Sequence, residues 1–133
     1  MFCFCILRRY RRNYDTDTYN FENYGSGSGT ITNVTVYIRC ESDGSGSDPC
    51  YAHSVLRVGG TNYDNRGIFD LTSSWTEYSI TFDANPAGGS WGRDWTAVDS
   101  LQAGVSLNSG DTYGGGNSFA RCTQVWIVIN YIP

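Results

Sequence analysis

The sequence predicts an all-β protein: a two-sheet antiparallel β-sandwich of jelly-roll type, with about eight strands and one short helix. Three observations carry this expectation. Thr, Val, Ile and Tyr dominate the semi-apolar runs, which suits pleated, half-buried surfaces. Those runs alternate apolar and polar residues with the two-residue period of a strand. Between them lie clusters of Gly, Ser, Asn and Asp, in a chain with 16 Gly and only 3 Pro, at the spacing of short strands joined by turns. At 133 residues the chain suits one domain with a sizeable single core. Composition divides it into an apolar and basic N-terminal stretch, residues 1–14, and a sandwich domain, residues 15–133.

Residues 1–7 read as a strand that is apolar on both faces: Phe2, Phe4 and Ile6 on one, Cys3, Cys5 and Leu7 on the other. A strand with one wet face alternates with polar residues; this one needs cover on two sides. It is too short for a membrane span. Its four arginines, Arg8, Arg9, Arg11 and Arg12, follow the apolar run instead of preceding it, and no small-residue cleavage site is visible. That order does not suit a signal peptide, so the expectation is a start processed upstream or export by another route.

Residues 15–21 form a weak strand that runs into the Gly-Ser repeat of residues 25–29. Residues 30–40 form a strong one, with Val34, Val36, Ile38 and Cys40 on the core face and Asn33, Thr35, Tyr37 and Arg39 on the other. In residues 51–58, Ala52, Leu56 and Val58 point inward and His53 and Arg57 outward, until Gly59-Gly60 ends the run. A short strand at 67–71 precedes the clearest case, residues 75–83. There Thr76, Tyr78, Ile80 and Phe82 alternate with Glu77, Ser79, Thr81 and Asp83. Residues 94–101 are the one helical stretch, with Asp94 placed to cap its start. Leu101, Ala103, Val105 and Leu107 return to strand period, and a Gly-rich loop fills 109–117. The last strand, 119–131, contains Val125-Trp126-Ile127-Val128-Ile129, again apolar on both faces.

The net charge of −4 is uneven. Residues 1–12 hold four Arg and no acid, leaving five Arg against thirteen acids, a net −8, in the remainder. A basic head and an acidic body can attract each other between neighbouring molecules. They equally describe a flanking patch that keeps an apolar strand soluble. An acidic body without a basic stripe argues against nucleic acid as partner, and no run of 18 apolar residues supports a membrane span.

Five cysteines are many for a reduced protein of this size. Cys40 and Cys50 flank the polar loop of residues 41–49 and make a candidate disulfide across the mouth of a hairpin. Such closure stabilises by roughly 2.5–3 kcal/mol on the chain-entropy model. Cys122 has no partner evident in sequence. Zinc needs paired ligand spacings, which Cys3-Phe4-Cys5 and the single His53 do not supply, so no metal ligand set is assigned. Asp43 and Asp48, with Asp15 and Asp17, could offer oxygens to Ca2+, but the closing Glu and the spacing of a calcium loop are absent. A solvated hairpin loop accounts for residues 43–48.

Catalysis has little support. His53 lies on a polar strand face with no evident Ser or Cys partner and no third group to orient it. Among thirteen carboxylates, close pairs such as Asp15/Asp17 and Asp94/Asp99 are expected without glycosidase chemistry. Trp91 and Trp95 sit in a Gly-rich region where exposed indoles could stack on sugar rings, although large aromatics more often fill cores and interfaces. Asn33-Val34-Thr35 is an N-glycosylation sequon on the outward face of its strand.

The second half resembles β-sandwich modules of phage and archaeal-virus structural proteins and of prokaryotic surface proteins. The matching residues are Trp75-Thr76-Glu77-Tyr78, Phe82, Asn85-Pro86, Gly88, Trp91, Trp95, Val98, Leu101-Gln102-Ala103-Gly104-Val105, and Arg121-Cys122-Thr123-Gln124-Val125 before Tyr131. The resemblance covers residues 66–131 and implies a non-catalytic part of a larger extracellular or virion assembly. The apolar leading strand is a departure from that pattern. Two functions are therefore expected. The first is a structural subunit that self-assembles through residues 2–7 into a filament, a pilus-like fibre or a virion surface, with other copies of itself as partners. The second is a carbohydrate-binding module that meets surface glycans through Trp91 and Trp95. Both place the protein outside the cell, on a cell surface or on a virion, and neither needs a cofactor.

Overall fold

A computed structural model of the chain describes residues 14–21, 27–64, 67–110 and 118–133. The strand read at residues 1–7 (Phe2, Cys3, Phe4, Cys5, Ile6, Leu7), the arginines after it and most of the Gly-rich loop after Ser109 lie outside the described residues. Eight strands and one short helix follow in order: β1 (Asp15–Asn20), β2 (Thr30–Ser42), β3 (Tyr51–Val58), β4 (Thr61–Tyr63), β5 (Phe69–Asp70), β6 (Thr76–Phe82), α1 (Trp95–Asp99), β7 (Gln102–Asn108) and β8 (Ala120–Ile132). All strand pairs are antiparallel, and they form two sheets packed on each other. The fold is an all-β sandwich.

One sheet runs β1-β7-β3-β4, with β5 pairing the start of β3; the other runs β6-β2-β8. Each long strand therefore crosses to the opposite sheet before the next begins, the winding that a jelly roll requires. Alternation dictates the faces. Along β2, Val34, Val36, Ile38 and Cys40 are fully buried, and their cross-strand partners Phe82, Ile80, Tyr78 and Thr76 on β6 share that face. Val125, Ile127 and Ile129 of β8 join them. From the other sheet come Ala52, Leu56 and Val58 of β3 and Ala103, Val105 and Leu107 of β7, edged by Tyr19, Tyr63 and Phe69. Each such Val, Leu, Ile or Phe contributes about 1.5–3 kcal/mol by leaving water.

Two local features differ from the sequence reading. Gly59-Gly60 does not merely end a strand: with φ of 55° and 86°, both take the left-handed conformation of a two-residue hairpin turn. The turn sends the chain straight back as β4, three residues long. The strand ending at 40 in the sequence continues to Ser42, because Glu41 and Ser42 keep pairing with Arg121 and Ala120. The short helix forms as expected, with the Asp94 carboxylate accepting from the Ala97 N–H at 2.9 Å.

Candidate functional site

β8 is the longest edge strand of the sandwich. Of its thirteen residues all but Thr123 pair with β2 on one side, and among the described residues no strand lies on the other. Ile127, Val128 and Ile129 of β8, with Trp95 of α1 and Tyr131, line an open groove of about 340 Å³. A groove lined from both faces of one strand must straddle the edge of that strand. Trp95 is held there by its indole N–H, which donates to the Gly29 carbonyl at 3.1 Å. Its ring meets Tyr131 edge-on at 5.2 Å between centroids, the geometry aromatic quadrupoles favour. Among the described residues, three of the six exposed large apolar side chains lie on this part of β8, Val128 at 37%, Tyr131 at 51% and Ile132 at 63%; Tyr14, Ile68 and Trp75 are exposed elsewhere. Trp126, one residue inward along β8, stacks on Tyr37 across the outer face, with ring planes 7° apart.

At its other end β8 is tied down by charge. Arg121 lies 3.2 Å from one carboxylate oxygen of Asp43 and 3.6 Å from Glu41. The second Asp43 oxygen accepts from the N–H of Phe119, and from the N–H and hydroxyl of Ser45. Burial would raise the Asp43 pKa; those hydrogen bonds and the Arg121 charge outweigh it and hold the carboxyl below its ordinary value. Both oxygens of the residue weighed above as a calcium ligand are therefore engaged in fastening loop 43–48 to β8. Among the described residues no cluster of three metal-ligating side chains forms.

The remaining sequence-predicted residues disperse. Trp91 is in the core, 3% exposed, and its indole N–H donates to the Phe82 carbonyl at 2.8 Å. It offers no free face to a sugar, so Trp91 and Trp95 do not form a paired stacking surface. Asn33 sits on the outer face of β2, its side-chain oxygen accepting from the Asn130 amide at 2.7 Å. His53 places Nδ1 2.7 Å from the Gly67 carbonyl; since a carbonyl only accepts, that nitrogen carries the proton. The Tyr14 ring packs against it at 4.5 Å. Cys40, Cys50 and Cys122 are buried, and none is joined in a disulfide in the structure. Cys50 faces Ser42, with Sγ 3.5 Å from the hydroxyl, and the residue opposite Cys40 is Cys122. Among the described residues no helix is long and apolar enough to cross a membrane.

The groove itself escaped the sequence reading, although half of its signal was visible in the two-sided apolar run of residues 125–129. What the run could not say is whether β8 lies inside a sheet or at its edge. Comparison with family models, with curated proteins and with solved structures finds no match to this chain.

Proposed function

We propose that the protein is a non-enzymatic structural subunit that self-assembles outside the cell through β-strand contacts, as a filament, a pilus-like fibre or a virion surface layer. The observation that carries this reading is the groove along the edge of β8 that no described strand covers. Its occupant is the apolar segment at residues 1–7 of a neighbouring copy. Seven residues in a strand span about 23 Å, the length of a seven-residue stretch of β8 such as residues 125–131. Main-chain hydrogen bonds to β8 supply affinity. Phe2, Phe4 and Ile6 fill the space between Ile127, Ile129 and Trp95, and Cys3, Cys5 and Leu7 cover Val128. The arginines that follow would meet an acidic neighbour. Such a contact is head-to-tail and need not close, so repetition gives a fibre. The resemblance read in the sequence of residues 66–131 implies the same setting. The alternative, a carbohydrate-binding module, keeps only Trp95 of its two indoles.

Electron microscopy and sedimentation of the full-length chain test the proposal. Ordered polymers are expected, and deletion of residues 1–7 leaves a folded monomer. Val128→Lys, which sets a charge on the acceptor edge, suppresses polymerisation at least tenfold while shifting unfolding by no more than about 0.5 kcal/mol. Full-length protein that stays monomeric at high concentration overturns the reading and places residues 1–7 in their own sheet.

A further inference from the structure

We infer that Cys40 and Cys122 are the two halves of a cross-strand disulfide that staples β8 to β2. The two residues stand directly opposite each other in the antiparallel ladder, both fully buried and both on the core face. Directly opposed residues have Cα atoms roughly 4.5–5.5 Å apart, inside the range of about 4.4–6.8 Å that a disulfide spans. The register places them so through a bulge: Arg39 pairs with Gln124 and Cys40 with Cys122, so Thr123 is the extra residue. Without that extra residue Cys122 would point to the opposite face.

The thiols already interact. A hydrogen bond with the Cys40 thiol lowers the Cys122 pKa, against the opposing effect of burial, so the two sulfurs already face each other in the folded chain. Cys50, the partner suggested by loop length, faces Ser42 instead, and Ser42 is two residues further along β2, about 6.6 Å away. The chemistry is thiol–disulfide exchange with a disulfide oxidant, of low molecular weight or protein-borne. The Cys122 thiolate attacks one oxidant sulfur and releases the other as a thiolate, forming a mixed disulfide. The Cys40 thiolate then attacks the Cys122 sulfur and expels the second oxidant thiolate. The two protons lost by the protein thiols pass to the two released thiolates, and the oxidant disulfide is reduced as the protein pair is oxidised. With both sulfurs buried, exchange takes place before β8 closes on β2, and the finished bond is shielded from solvent reductants. This inference does not depend on assembly.

The test is peptide mapping by mass spectrometry of the full chain refolded in a glutathione redox buffer, with free thiols alkylated under denaturing conditions. A linked peptide joining Cys40 to Cys122 is expected, unchanged in Cys50→Ser and resistant to reductant until the protein is unfolded. Linkage of Cys40 to Cys50, linkage of Cys122 to Cys3 or Cys5, or alkylation of both Cys40 and Cys122 overturns the inference.

Discussion

Trp91 combines two roles that one substitution can separate. Its ring fills the core, and its N–H satisfies the Phe82 carbonyl at 2.8 Å. Trp91→Ala should lower stability by about 3–5 kcal/mol through the cavity it opens. Trp91→Phe keeps much of the volume but removes the hydrogen bond to the Phe82 carbonyl and should cost about 0.5–1.5 kcal/mol; urea unfolding of both variants measures the difference. Asp43 makes a prediction in pH. Its folded pKa lies below the ordinary 3.8, so its contribution to stability is complete above that value. It is lost as pH falls through the lower, folded one. Thermal midpoints followed from neutral pH down into the acid range should fall, and Asp43→Asn should flatten that fall. An unchanged slope in the variant would assign acid sensitivity to other carboxylates. The role of Trp91 was not legible in sequence, since an indole in a Gly-rich region reads the same whether packed or exposed. Asp43 was legible as a turn residue but not as the anchor of Arg121, whose position depends on strand pairing 78 residues away.

Strands with strict alternation were the legible elements. In β2, β3 and β7 the inward residues read from period alone are buried in the core, while in β6 Phe82 is buried and Tyr78 and Ile80 are partly so, because a one-residue slip would expose a whole apolar face. β4 was missed because three residues carry no period, although Gly59-Gly60 held the clue to its turn. The Cys40–Cys122 opposition was equally hidden, because a bulge at Thr123 has no periodic trace. Gly104 in β7 shows how tightly such elements are fitted. It lies between Thr18 of β1 and Val55 of β3 in the ladders, and a Cβ there would collide with the Asp17 carbonyl of β1. Gly104→Ala should therefore push β1 off the sheet and destabilise by about 1–3 kcal/mol. Hydrogen exchange should show faster loss of protection in β1 than in β2. Equal protection in both strands would mean that β1 shifts without detaching.

At the scale of the whole molecule, fold class was legible and the groove beside β8 was not. Period two and turn spacing specify a sandwich, whereas the identity of the edge strand follows from connections that residue types do not encode. If the basic residues 8–12 help recruit an acidic neighbour, assembly must weaken with salt. Light scattering of polymer at about 0.5 M NaCl should fall severalfold below its value at about 0.05 M, because the screening length shrinks from more than 10 Å to a few. Assembly indifferent to salt would leave the apolar strand as the sole determinant. The long pairing of β2 with β8, from Thr30 opposite Ile132 to Ser42 opposite Ala120, has a mechanical consequence. Tension entering β8 along its own axis would strain every bond of that ladder at once, in shear, instead of opening them one by one from an end. In a fibre joined edge to edge through β8, the load would pass from subunit to subunit through strands pulled lengthwise, the direction in which a sheet resists rupture most.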